Sequence, residues 1–210
     1  MALIGLSGYS GSGKDTFGRL IQYHTAKVSK DVDMTSIINK YDEYEWWLAE
    51  QSGWEIMKFA GKLKEIASLL TGIPVYKFED QEYKNTYLGD EWRIHGLPMK
   101  VREFLQYLGT NALRECLHQN TWVNALFADY KESDNWIITD VRFPNEAKAI
   151  KDRGGLMIRI DRPFVKPINS HQSETALDNW NFDYKVANVS DLISLSFTVE
   201  TILQEQKLIL

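Results

Sequence analysis

A single cysteine, Cys116, is all that the chain contains, so no intrachain disulfide can form and a cysteine-based zinc site is not expected. No run of 18 apolar residues occurs, which argues against a membrane-spanning helix. The N-terminus lacks the charged start and small-residue cleavage site of a signal peptide, so a cytoplasmic protein is expected. Basic charge is also scarce. Lys and Arg number 24 against 29 Asp and Glu, a net charge of -5. Proteins that grip a duplex carry a basic face, so this balance weighs against nucleic acid as the main partner. There are no internal repeats, no low-complexity tracts and no defensible Ser-His-Asp pattern. What remains is an ordinary globular mixture, 44% hydrophobic and 25% charged over 210 residues, long enough for one compact α/β domain with small insertions.

Short apolar segments alternate with helical patterns. Residues 2–6 read as a buried strand, and a helix follows from about Lys14. Residues 30–53, rich in acids and aromatics, read as a surface insertion, partly helical. A second strand fits 54–60 and a helix 61–70, ended by Thr71-Gly72-Ile73-Pro74. Residues 75–100 are polar and aromatic without a clear period. From Lys100 onward, Val101, Phe104, Leu105, Leu108, Ala112 and Cys116 form one helical stripe, and Arg114 falls opposite it as a solvated residue. A further helix spans 121–131. Then come a strand at 136–140, a helix from Pro144 to Gly154-Gly155, a strand at 156–161, a polar loop at 162–180 and a strand at 184–188. Ser190 is the expected cap of a last helix. This alternation implies a parallel sheet covered on both faces.

Residues 8–14, G-Y-S-G-S-G-K, match the G-x-x-x-x-G-K phosphate-binding loop between a strand and a helix. Such a loop converges backbone N–H groups on phosphate oxygens, and side chains at Gly11 and Gly13 would block that approach. The helix start adds unpaired N–H groups and a positive dipole end, and Lys14 adds a point charge. The usual metal-binding Ser or Thr after the lysine is replaced by Asp15, with Thr16 one place later. Either the hydroxyl duty passes to Thr16, or Asp15 holds a magnesium ion through water. The tetrad N-K-Y-D at 39–42 resembles a guanine-reading motif, but it stands about 25 residues past the lysine with no partner motif between, and is read as chance.

Asp140 ends the strand at 136–140, where ligands sit in this fold class, and Arg142 follows two residues later. Arg102 and Gln106 share one edge of their helix, an arrangement that suits a phosphate and a base edge. The stretch K-F-A-G-K-L-K-E at 58–65 places Lys62 and Lys64 at a helix N-terminus, where at least one is expected to be a solvated charge. The loop at 162–174 carries Arg162, Lys166, His171 and Glu174, in a composition that suits a movable cover.

With these segments in place, the chain resembles the phage-type deoxynucleoside monophosphate kinases of the P-loop nucleoside monophosphate kinase superfamily. The matching stretches are SGYSGSGKDT at 7–16, FAGKLKE at 59–65, VREFLQYLGTN at 101–111, WVNALFADY at 122–130, ITDVRFPNE at 138–146 and SHQSE at 170–174. The aspartate after the lysine is itself a mark of that family. The resemblance implies a three-layer α/β sandwich with a parallel five-stranded sheet of order 2-3-1-4-5, a helical substrate-binding region at 75–131 and a lid-like loop at 162–180. It implies transfer of the ATP γ-phosphoryl group to a deoxynucleoside 5′-monophosphate, with Mg²⁺, for DNA precursor synthesis. Ser10, Gly11, Ser12, Gly13, Lys14, Asp15 and Thr16 would bind ATP, with Asp15 and Thr16 as the metal residues. Lys14, Asp140 and Arg142 would be catalytic. Among the substrate-binding residues, Lys64, Arg102 and Gln106 would face the monophosphate, Arg142 would sit with Asp140 at the junction of the two nucleotides, and Glu174 would belong to the lid or base-contacting region. The expected partners are two small nucleotides, without nucleic acid or membrane, and a homodimer is left open. The expected location is the host cytoplasm if the chain is phage-encoded. The insertion at 30–53 departs from shorter members of the family. The rival readings are a P-loop kinase for another small phosphorylated acceptor of phosphomevalonate type, a P-loop NTPase switch, and a nucleic-acid end kinase that the acidic charge disfavours.

Overall fold

The computed structural model describes residues 2–27, 33–166 and 175–209. They divide into two compact units, Met1–Lys58 with Tyr130–Leu210, and Phe59–Asp129. The first unit opens with β1 (Leu3–Ser7), α1 (Lys14–Thr25), α2 (Met34–Asn39), α3 (Tyr41–Ser52) and β2 (Glu55–Met57). The second carries α4 (Phe59–Thr71), three short 3-10 turns, α5 (Val101–Gln106), a π-helical stretch (Tyr107–Glu115) and α6 (Thr121–Phe127). The chain returns to the first unit with β3 (Trp136–Ile138), α7 (Pro144–Lys151), β4 (Leu156–Asp161), β5 (Tyr184–Ala187) and α8 (Leu192–Glu205).

Among the described residues, five strands form one parallel sheet in the order β2-β3-β1-β4-β5, the order that the sequence resemblance implies. All five residues of β1 are buried, because a central parallel strand is covered on both faces. On one face Ile4, Leu6, Ile137, Ile158 and Ile160 pack with Phe17, Leu20 and Ile21 of α1 and Val199 and Leu203 of α8. Each fully buried Leu or Ile stabilises the fold by about 2 kcal/mol relative to exposure. On the other face Gly5 leaves room for α7. A Cβ there would lie 2.7 Å from Ile150 Cδ1 and 2.6 Å from Met157 Sδ.

The segment read as a surface insertion packs Ile37, Tyr41 and Leu48 against Tyr23 and Ala26, while Asp42, Glu43, Glu45 and Trp46 stay exposed. Beneath it Tyr41 donates to Gln22 Oε1 at 2.8 Å, and Gln22 donates to the carbonyl of Trp54 at 2.8 Å. The strand expected at 54–60 is shorter. Phe59 is already helical, buried, and edge-on to Phe127 with ring centroids 6.3 Å apart. The cap of α8 is Asp191 rather than Ser190, its carboxylate accepting from the Ser194 N–H at 2.9 Å.

In the second unit, Ala67, Phe78, Leu88, Val101 and Phe104 form a separate small core. The stripe read from Val101 to Cys116 holds as far as Leu108, which packs against this core, and has broken down by Arg114 and Cys116. Cys116 is exposed, whereas Arg114, read as solvated, is half-buried with its Nε inaccessible. The cause is the π-helical stretch, in which each N–H reaches back five residues rather than four, as Cys116 does to Asn111 at 3.2 Å. The wider turn rotates later residues away from the positions a 3.6 period assigns. Gly109 sits at its inner side, where a Cβ would be 3.0 Å from Leu63 Cδ2 and where Trp122 donates to the Gly109 carbonyl at 2.8 Å.

Near the end of α1, His24 Nε2 lies 2.7 Å from Ser196 Oγ of α8, edge-on to Tyr23 and near Glu200. Burial lowers the His24 pKa, and this outweighs the opposing pull of Glu200 and the Ser196 bond. In the window below the ordinary histidine value the unfolded chain therefore binds more protons than the folded one. The stability His24 contributes is present above that value and is lost as pH falls through the lower folded-state pKa. Chemical denaturation at pH 7.5 and at successively lower pH should show a loss in the native protein that His24→Gln reduces. An equal loss in both would exclude this histidine as its source.

Candidate active site

The loop after β1 is built for backbone exposure. Gly8 has φ 150°, and a Cβ on it would lie 2.3 Å from the carbonyl oxygen of Ile160 on β4. Gly13 has φ 101°, and a Cβ there would lie 2.5 Å from Asn188 Nδ2. Asn188 follows β5 and donates that amide to the Ser12 carbonyl at 2.9 Å, which fixes the peptide entering α1. The first turn of α1 receives no side-chain cap. Its N–H groups and dipole are thus left for an anion. Ser12 is 1% exposed, yet its Oγ has no hydrogen-bond partner among the described residues. A buried hydroxyl without a partner carries a cost that a ligand oxygen would remove. Lys14 donates to the carbonyls of Gly8 and Tyr9, both at 2.8 Å, and so lies along the loop.

The outer side of the loop is held by Tyr9. Its hydroxyl donates to the Asp178 carboxylate at 3.1 and 3.2 Å, and Arg159 stacks 4.7 Å from its ring centroid. Arg159 is 7% exposed on β4 and donates to Asp161 at 2.9 Å and Asp178 at 3.2 Å. Two carboxylates thus compensate one buried guanidinium.

Asp15 points to the neighbouring strand ends. Its Oδ1 accepts from Thr139 at 2.9 Å and lies 3.2 Å from Lys58 Nζ. Burial raises its pKa, but Lys58, the Thr139 hydrogen bond and Lys14 together outweigh this and hold the carboxyl below its ordinary value. Thr16, in the same first turn, is half-buried. Past β3 the chain turns back onto β1, with the Val141 N–H donating to the Leu6 carbonyl at 3.2 Å. Asp140 and Arg142 flank that residue and are half-buried. The buried Glu146 carboxylate accepts from the N–H groups of Arg142 at 2.8 Å and Phe143 at 3.0 Å, which pins the turn to α7. The residues read as ATP-binding and catalytic therefore stand at the carboxyl ends of adjacent strands within one unit.

Lys64, Arg102 and Gln106 belong to the second unit. Lys64 is 7% exposed and ion-pairs with Glu79. Arg102 donates to Gln81 at 3.1 Å, and Gln106 is half-buried one turn along. Both basic residues thus meet the segment 79–81, which lies in the stretch without a clear period. Lys62 is the solvated lysine of the pair, 3.4 Å from Glu65 and 3.9 Å from Asp129. Glu174 and His171 lie outside the described residues.

The family model for deoxynucleotide monophosphate kinase matches residues 39–199, well over half of the chain. The chain belongs to the deoxynucleotide monophosphate kinase family. Similar proteins are found in viruses. One from Acanthamoeba polyphaga mimivirus, named "Putative deoxynucleotide monophosphate kinase", is 31% identical, over 84% of this chain and 82% of its own length. The deoxynucleoside-5′-monophosphate kinase of Escherichia phage T5 is 28% identical, over 73% of each chain. The deoxynucleotide monophosphate kinase of Enterobacteria phage T4 is 26% identical, over 55% of this chain and 47% of its own. The kinase is thus a phosphotransferase acting on deoxynucleoside monophosphates. Sequence reasoning missed Lys58, Thr139, Asn188 and Arg159 around its loop. Two of them carried a signal: Lys58, as the first residue of the K-F-A-G-K-L-K-E segment, was absorbed by the strand assigned to 54–60, and Thr139 lay inside I-T-D-V-R-F-P-N-E in the shadow of Asp140.

Proposed function

We propose that this kinase transfers the γ-phosphoryl group of ATP to the 5′-phosphate of a deoxynucleoside monophosphate, with residues 10–16 as the donor site. The single observation that carries the donor assignment is the buried Ser12 hydroxyl, which has no hydrogen-bond partner among the described residues, beside an uncapped helix start. Backbone N–H groups of the loop and α1 hold the β- and γ-phosphates, and Lys14 leaves the Gly8 and Tyr9 carbonyls to bridge them. Lys64, Arg102 and Gln106 take the acceptor phosphate and base edge, and Glu174 belongs with them. Arg142 serves the phosphoryl group in transit. No protein nucleophile is required, because an oxygen of the acceptor phosphate attacks phosphorus directly.

The oxygen donors near the loop suit magnesium, which takes few protein ligands and draws most from phosphates and water. Since Asp15 Oδ1 already serves Lys58 and Thr139, Thr16 is the better direct ligand, with Asp140 ordering metal-bound water. A magnesium ion held there would offset charge on the donor phosphates. The test is a coupled assay with ATP and Mg²⁺ against dAMP, dGMP, dCMP and dTMP, with phosphomevalonate and no acceptor as comparisons. ADP release should rise about 100-fold or more with at least one deoxynucleotide, since acceptor-free hydrolysis lacks the positioned attacking group. Acceptor-independent ADP release would favour the NTPase switch, and turnover on phosphomevalonate alone the other kinase class.

A further inference from the structure

The carboxyl end of β2 brings a charge to the loop that no motif singled out. Lys58 directly follows β2, and its Nζ lies 3.2 Å from Asp15 Oδ1. The same oxygen accepts from Thr139, the residue after β3, at 2.9 Å. One carboxylate on the first turn of α1 therefore fixes side chains from the ends of two strands. Lys14, the neighbour of Asp15, lies along the same loop. Two ammonium groups accompany one carboxylate, and both act to lower the Asp15 pKa. Stability is a poor reason for this pairing. The side chains are 36% and 56% exposed, and ion pairs so open to water contribute little. A lysine held by a carboxylate at the edge of an anion site is instead pre-positioned for a ligand that is more negative than the carboxylate.

We infer that Lys58 is a second phosphate-binding ammonium of the transfer site, directed at the phosphoryl group in transit, and that Asp15 and Thr139 are the positioning residues that aim it. The inference rests on the reading of residues 10–16 as the ATP site. In the transfer, an acceptor phosphate oxygen bonds to the γ-phosphorus while the bond from that phosphorus to the β–γ bridging oxygen breaks. The electron pair leaves with ADP. Lys58 donates a hydrogen bond to an equatorial oxygen, and no proton leaves the lysine.

The variants are Lys58→Met, Lys58→Arg, Asp15→Asn and the double variant Lys58→Met/Asp15→Asn, with Lys14→Ala alongside. Each is measured by steady-state kinetics, by calorimetric titration with ADP and with the β,γ-imido analogue of ATP, and by melting temperature. Lys58→Met should lower kcat about 100-fold and raise KM for ATP about tenfold, with KM for the monophosphate within about threefold. It should weaken the imido analogue about tenfold while ADP affinity stays within about twofold. Lys58→Arg should regain at least about tenfold in kcat, because charge without exact geometry restores part of the effect. Asp15→Asn should lower kcat about tenfold alone and cost nothing further beside Lys58→Met, as expected of a residue acting through the lysine. If Lys58→Met melts more than about 5 °C lower, Lys58→Gln takes its place in every comparison.

Three results would overturn the inference. One is a kcat for Lys58→Met within about threefold of the native value. Another is recovery of native kcat in the double variant, which would make Lys58 a mere neutraliser of Asp15. The third is equal weakening of ADP and the imido analogue. If Lys14→Ala itself keeps native turnover, the ATP-site reading fails. If Lys14→Ala is inactive and Lys58→Met is normal, only the role given to Lys58 fails.

Discussion

Lys14→Ala should lower kcat/KM by at least about 1,000-fold, roughly 4 kcal/mol at 1.36 kcal/mol per decade, with melting temperature within a few degrees of native. The asymmetry follows from where the ammonium sits. In the chain alone, Lys14 donates to two carbonyls of its own loop, Gly8 and Tyr9. Each such bond to a partly solvated carbonyl contributes about 1 kcal/mol net, and water replaces part of it. The loop keeps its shape by other means: the glycine conformations, the Asn188 bond to the Ser12 carbonyl and the Tyr9–Asp178 bond. During transfer, negative charge on the donor phosphates has no such substitute, and a point charge in a water-poor site is worth far more than in bulk solvent. Steady-state kinetics and a thermal melt decide the matter. Turnover near the native rate would remove the loop from the mechanism, and a collapsed melting temperature would make Lys14 a structural residue first.

How legible the molecule was in its sequence depends on whether the deciding contact is local. β4 (Leu156–Asp161) matches the expected strand residue for residue, because Gly154, with φ 75°, ends the preceding turn and the apolar residues Leu156, Met157, Ile158 and Ile160 follow. The loop at 8–16 was equally legible, since its glycines and lysine are adjacent in the chain. The first glycine was read only in part. The 2.3 Å approach of a Gly8 Cβ to Ile160 comes from a strand about 150 residues away, and no local pattern encodes it. Lys58 and Thr139 were hidden for the same reason, as both reach Asp15 across the sheet. The π-helical stretch is a different failure. Periodicity assumes four-residue bonds, and the five-residue bonds from Tyr107 to Glu115 put Cys116 into solvent and draw Arg114 inward. Burial likewise separated Lys62 from Lys64, which two lysines on one helix could not do by spacing.

Arg102→Ala should raise KM for the deoxynucleoside monophosphate about 10- to 100-fold, or 1.4–2.7 kcal/mol, with KM for ATP within about twofold. Arg102 stands on α5 beside Gln106, and its NH2 group donates to Gln81 at 3.1 Å across an exposed surface. Among the described residues that neutral contact uses one of five donors, so the guanidinium keeps a fork able to bind a phosphate with two parallel charge-assisted bonds. Such a bond is worth about 1.5–3 kcal/mol, more than an exposed bond to a neutral amide. Losing the Gln81 partner costs little, because water can take its place at that surface. A structural role would show as a fall in melting temperature with both KM values unchanged. A substrate-side role shows as a split, the monophosphate weakened and ATP not. Arg102→Lys should recover only part of the loss, since an ammonium supplies charge without the planar fork. The same split for all four deoxynucleotides would assign Arg102 to the shared phosphate, and a split that varies with the base would move it toward base recognition. Weakened ATP binding alone would place Arg102 on the donor side and reverse the assignment made for α5.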